Sequence, residues 1–166
     1  YADIGIQAVG GIASGVYTTD SARQLSYLVN DSDSRFLFVE NDELLDKYLS
    51  IADQMPGLSK VIVFDLEGLH DFEDENVISL EELYELGAHA AAENPGEFED
   101  EIEKGTPEDT CLLIYTSGTT GRPKGAPNTF GMAFINAVSL ITAREITPES
   151  QGVTVLPLLH TGVLNC

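Results

Sequence analysis

Basic residues are scarce in this chain: Lys and Arg number 8 against 28 Asp and Glu, for a formal net charge of −20. So acidic a surface repels nucleic acid and anionic membrane over most of its extent, which sets both aside as partners. Tryptophan is absent, and the two cysteines are Cys111, inside an apolar run, and Cys166. They support neither a disulfide framework nor a zinc centre and fit a reducing compartment. The opening Tyr1-Ala2-Asp3-Ile4 has no basic region leading into an apolar stretch, so no signal peptide is expected. No apolar run reaches the roughly twenty residues that a membrane-spanning helix needs. The expectation is a soluble, cytoplasmic protein. The abundant acids gather at 71–75, 81–85 and 97–103. Hard-cation loops need spaced oxygen ligands around a sharp Gly turn, an order these runs lack. They read as solvated loops and helix faces, and no metal ligand is assigned.

With 166 residues, 43% of them hydrophobic, the chain is long enough to bury one substantial core. Short β-rich runs alternate with longer stretches of helical spacing, the pattern of an α/β fold with a mainly parallel sheet flanked by helices. The spacing predicts a helix over 2–9, interrupted at Gly10-Gly11, and an extended run over 12–17. A second helix begins at Ser21, with Gln24 as capping-box partner and Leu25, Leu28 and Val29 as its apolar stripe. Phe36 to Val39 reads as a buried strand. Leu44, Leu45, Tyr48, Leu49, Ala52 and Met55 share one face of a third helix that Pro56-Gly57 stops. The next strand covers 60–65. Ser79 and Glu82 form a second capping box, opening a helix to about Ala92. An exposed acidic linker follows over 94–107. Strand 110–115, helix 132–144 and strand 152–156 complete the reading.

Tyr115-Thr116-Ser117-Gly118-Thr119-Thr120-Gly121-Arg122-Pro123-Lys124-Gly125 packs glycines, hydroxyls and a lysine directly behind the apolar strand. Polyphosphate binding asks for this mixture. Glycine lets backbone N–H groups approach phosphate oxygens, while hydroxyls and an ammonium add charge-assisted hydrogen bonds. Pro123 narrows the directions open to Lys124. A Walker A loop is excluded, because Pro123 and Gly125 flank the lysine where Gly and Ser or Thr would stand.

Residues 116–125, TSGTTGRPKG, resemble the signature phosphate loop of the adenylate-forming superfamily, which includes acyl-CoA synthetases, luciferases and the adenylation domains of peptide synthetases. The resemblance implies that Thr116, Ser117, Gly118, Thr119, Thr120, Gly121 and Lys124 embrace the β and γ phosphates of ATP, with Mg²⁺ accompanying the nucleotide. It also implies the reaction: a substrate carboxylate attacks the α-phosphorus, pyrophosphate leaves, and a thiol, commonly that of coenzyme A, displaces AMP from the acyl-adenylate. Leu156-Pro157-Leu158-Leu159-His160-Thr161-Gly162 is similar to the family's Pro-Leu-Phe-His-Thr-Gly segment beside the acyl pocket. That makes His160 the candidate for positioning the substrate, with Lys124 as electrostatic stabiliser. His70 and His89 have no such neighbours. Gly15-Val16-Tyr17, Tyr27 to Ser32 and Phe38 to Asn41 resemble the long-chain acyl-CoA synthetase branch, so the resemblance extends over nearly the whole chain.

Departures from the family pattern fall after the loop, where Thr129-Phe130 replaces a usual Thr-His pair and Leu159 and Val163 stand where Phe and Gly are common. Counterparts of the later family motifs, including the Mg²⁺-binding Glu, the ribose-binding Asp and the catalytic Lys of a C-terminal domain, do not occur before Cys166. The whole chain, 1–166, is therefore expected to be part of an N-terminal AMP-binding domain whose missing remainder completes the enzyme. The expected activity is that of a ligase joining a fatty acid to coenzyme A. The alternatives are a non-catalytic nucleotide-binding or interaction module, and adenylation of an aryl or amino acid.

Overall fold

The computed structural model of the chain describes residues 1–70, 72–116 and 121–152. They form two compact units, one of residues 18–97 and one of residues 1–17 with the chain from Phe98 onward.

The 18–97 unit is built on a parallel sheet in the order β2-β3-β4, with strands Phe36–Val39, Lys60–Val63 and Val77–Ser79. The central strand, β3, has the sequence Lys-Val-Ile-Val because a middle parallel strand is covered on both faces, so apolar residues run consecutively. Val61 and Val63 are fully buried and Ile62 nearly so. The same unit carries α2 (Ala22–Asp31) and α3 (Asp42–Leu49), which contact each other, and α4 (Leu80–Glu93), which contacts β3 and β4. Leu25, Leu28 and Val29 of α2 are buried, as are Leu45 and Tyr48 of α3.

Local chemistry sets the helix starts. Ser21 Oγ accepts from Gln24 N and Gln24 Oε1 accepts from Ser21 N, which closes the expected capping box. Asn41 Oδ1 accepts from Leu44 N at the head of α3. Asp42 and Glu43 in its first turn and Lys47 in its last complement the helix dipole. In the second box, Ser79 Oγ accepts from Glu82 N at 3.0 Å and a Glu82 carboxylate oxygen accepts from Ser79 N at 2.7 Å. The Ser79→Ala variant is expected to lose about 1 kcal/mol of unfolding free energy by urea titration. The Ser79 backbone bond, then the Ser79 hydroxyl, hold the Glu82 carboxyl below its ordinary range. A depressed folded-state value stabilises above the ordinary glutamate range and is lost as pH falls through the lower folded value. Relative to Glu82→Gln, the native protein should therefore lose stability on acidification across that window.

The third helix is shorter than its apolar spacing predicts. It ends at Leu49, where Ser50 Oγ donates to Lys47 O and competes with the helical ladder. A 3-10 turn over Ala52–Gln54 then carries the chain so that Ile51 and Met55 still reach the core. The stretch expected as a linker over 94–107 also differs, since Glu97–Lys104 forms helix α5. Acidic residues at its head and the Lys104 to Glu101 ion pair near its end, with Phe98 and Ile102 four apart, favour helix over coil.

In the other unit, α1 (Ala2–Ala8) stops as expected at Gly10-Gly11. Gly10 has φ +75° and donates to Gln7 O, while Gly11 donates to Ile6 O, a Schellman closure. The sheet order is β1-β5-β6, with strands Ala13–Ser14, Thr110–Thr116 and Lys124–Thr129. Strand β1 is parallel to β5, whereas β6 returns antiparallel. The fold class is thus the expected α/β with mainly parallel pairing, divided between two sheets instead of gathered in one. Strand β6 falls on residues to which the sequence pattern assigns no element. Its sequence Lys-Gly-Ala-Pro-Asn-Thr has little strand propensity, and Pro127 suits β6 as an edge strand among the described residues.

Helix α6 (Phe130–Arg144) begins two residues earlier than its spacing predicts. Thr129 Oγ1 accepts from Met132 N, Phe130 N donates to Asp109 O, and Gly131 N donates to Pro107 O. These bonds satisfy amides at the helix head that have no partner within the helix. The strand expected over 152–156 lies, from residue 153, outside the described residues.

Candidate functional site

Strand β5 is the centre of its sheet, and its apolar residues drive the hairpin that carries the loop. Cys111 and Leu112 are buried on it with Ala13 of β1, and Ile6, Ile114 and Phe130 pack around them. The Cys111 thiol donates to Asn128 O across to β6. Burial is the main cause that pushes the thiol above its ordinary value, with a backbone hydrogen bond opposing and the Asp3 charge adding to it. A buried, protonated thiol packs and does not react.

The β5–β6 ladder runs from Thr110 opposite Thr129 to Thr116 opposite Lys124, so the glycine-rich segment is the connection closed by this last pair. Side chains of directly opposed residues share a face, and Thr116 and Lys124 therefore stand together at the mouth of the loop. Both are exposed. Lys124 is the first residue of a strand, not a loop residue as its sequence setting suggests. Pairing with β5 fixes its direction, beyond anything Pro123 imposes. Gly121 has φ +152°, a backbone conformation that favours glycine, and among the described residues nothing lies within 4 Å of an added Cβ. At Gly125 the reverse holds: an added Cβ would lie 3.0 Å from Leu113 Cδ1 and 3.2 Å from Tyr115 Cζ.

Of the residues singled out for nucleotide binding, Thr116, Gly121 and Lys124 are thus placed by one hairpin. Ser117, Gly118, Thr119 and Thr120, and the substrate candidate His160, lie outside the described residues. Sequence reasoning missed β6 and the packing of Tyr115 on Gly125. The one local sign was a glycine following Lys124 where an alternating strand would carry a side chain. A cavity of about 960 Å³ in the same unit, lined by Ile4, Ile12, Ile102, Pro107, Phe130 and Phe134 among others, opens beside Thr110. Six residues of strand separate Thr110 from Thr116, about 20 Å, so this cavity is distinct from the loop.

Among the described residues no group of three His, Cys, Asp or Glu converges as a metal site. The donors among those residues do not fit an Mg²⁺ held by the protein alone. Among the same residues no helix is long and apolar enough to cross a membrane. His70 is exposed, and His89 lies 3.4 Å from Glu93 on one face of α4.

The described residues define a mixed α/β protein in which paired strands flank a glycine-rich segment, and comparison with known proteins narrows the class. The family model described as AMP-binding enzyme matches residues 1–166. The chain belongs to the AMP-binding enzyme family. A long-chain-fatty-acid–CoA ligase of Xenopus laevis is 36% identical over 124 residues, covering 75% of this chain and 16% of the relative. One from Gallus gallus is 32% identical over 164 residues, covering 96% of this chain and 21% of the relative. The chain thus spans about a fifth or less of the length of these curated relatives. Among solved structures, a long-chain-fatty-acid–CoA ligase from Archaeoglobus fulgidus superposes with a TM-score of 0.68 at 20% identity, covering 99% of this chain and 29% of that one. That likeness is one of fold. The o-succinylbenzoate CoA synthetase of Bacillus subtilis, solved with its acyl-adenylate intermediate, gives a TM-score of 0.61 at 26% identity over 99% of this chain and 37% of its own.

Proposed function

We propose that this chain forms part of the N-terminal, nucleotide-binding portion of an AMP-forming acid–thiol ligase that adenylates a fatty acid and passes the acyl group to coenzyme A. The observation that carries the reading is the sequence TSGTTGRPKG, whose flanking residues Thr116 and Lys124 are paired across β5 and β6. The similarity to long-chain-fatty-acid–CoA ligases supports the choice of acid.

In this reading Thr116, Ser117, Gly118, Thr119, Thr120, Gly121 and Lys124 surround the β and γ phosphates of ATP. A substrate carboxylate oxygen bonds to the α-phosphorus as the bond to the bridging oxygen breaks, and pyrophosphate leaves with that electron pair. The thiolate of coenzyme A then attacks the acyl carbon and AMP departs. The nucleophiles belong to the substrates, so the protein's part is positioning and charge neutralisation. Lys124 and the loop amides stabilise charge developing on the departing pyrophosphate, and His160 orients the carboxylate. Mg²⁺ arrives with the nucleotide.

Acid-dependent exchange of labelled pyrophosphate into ATP, measured on the full-length protein across an acid panel, tests the reading. Exchange with long-chain fatty acids is expected. Exchange confined to aryl acids would favour a second reading, to which the 26% identity with the o-succinylbenzoate enzyme lends support. No exchange with any acid would leave a non-catalytic nucleotide-binding module.

A further inference from the structure

Resting on that phosphate-loop reading, we propose that Tyr115 is a positioning residue for Lys124: its ring lies across the bare backbone of Gly125 and holds the register that sets Lys124 opposite Thr116. Strand β6 needs such a device. Among the described residues it is an edge strand of Lys-Gly-Ala-Pro-Asn-Thr, bonded to a neighbour on one side only, and it is poor in residues that favour strand. Register is weakly specified in such strands, and a slip of one residue turns every side chain to the other face. For Lys124 that slip would carry the ammonium away from the face it shares with Thr116.

The contacts that oppose the slip are local and specific. Tyr115 stands directly opposite Gly125 in the ladder, one step from the Thr116 and Lys124 pair. A Cβ at Gly125 would lie 3.2 Å from Tyr115 Cζ, the far end of the ring, so the ring is laid across the partner strand. Leu113, two residues earlier on the same face, comes within 3.0 Å of that point through Cδ1 and 3.2 Å through Cγ. Gly125 has no positive φ, so backbone freedom does not explain the glycine. What it supplies is room for the aromatic ring, and a ring over a cross-strand glycine pins register. In a slipped ladder a residue bearing a Cβ would stand beneath Tyr115 and exclude the ring.

Two measurements on the full-length protein test this. The first needs no nucleotide: with Thr116→Cys and Lys124→Cys together, the rate of cross-strand disulfide formation under mild oxidant reports the register. Adding Tyr115→Ala, or Gly125→Ala, whose methyl takes the ring's place, should slow trapping about fivefold or more, while Tyr115→Phe, which keeps the ring, should trap faster than either. Equal rates with and without the ring overturn the proposal. The second is a double-mutant cycle in pyrophosphate exchange. Tyr115→Ala should lower kcat/KM about tenfold when Lys124 is present and by less than about twofold in Lys124→Ala. Equal fold-losses in both backgrounds would assign Tyr115 a general packing role and overturn it. If Lys124→Ala leaves exchange unchanged, the phosphate-loop reading falls, and the trapping rates still decide whether the ring holds the register.

Discussion

Lys124→Ala in the full-length protein is expected to lower kcat/KM for acid-dependent ATP–pyrophosphate exchange about a hundredfold, the usual loss when one preorganised charge-stabilising donor is removed. The direction follows from the proposed role: negative charge grows on the departing pyrophosphate, and an ammonium on the face of Thr116 meets that charge. Lys124→Arg should recover only part of the loss, because a planar guanidinium replaces a compact charge. Stability should barely change, within about 0.5 kcal/mol by urea titration, since Lys124 is exposed at the first position of its strand. Native exchange in the alanine variant would remove the role assigned here to Lys124.

Leu45→Ala should have the largest effect on folding. Leu45 on α3 is fully buried, in a unit whose central strand contributes the equally buried Val61 and Val63. Truncation removes apolar contact and leaves a cavity that close-packed neighbours fill only in part, a loss of about 2–5 kcal/mol. Against total stabilities of roughly 5–15 kcal/mol this is a large fraction. The urea midpoint should fall with the denaturant slope unchanged. A loss below about 1 kcal/mol would mean that the site collapses around the shorter side chain.

Features that depend on neighbours within three or four residues were legible without coordinates. Both capping boxes, Ser21 with Gln24 and Ser79 with Glu82, are closed as their spacing implies. Gly10-Gly11 ends α1, and the consecutive apolar residues of β3 and β5 form central strands. Weak local signals misled. Helical spacing continued past Ser50 because Met55 reaches the core by a turn and not along a helix axis. Acidic composition hid α5, whose charges are arranged to suit a short helix.

The sequence determined the chemistry of the loop, since its glycines, hydroxyls and single lysine are a matter of residue identity and order. It did not determine where that lysine stands. Strand pairing joins residues distant along the chain, so only the tertiary structure decided that Lys-Gly-Ala-Pro-Asn-Thr becomes β6 and that Lys124 faces Thr116. That strand has almost no preference of its own; hydrogen bonds to β5, and the room at Gly125 for the Tyr115 ring, impose its form.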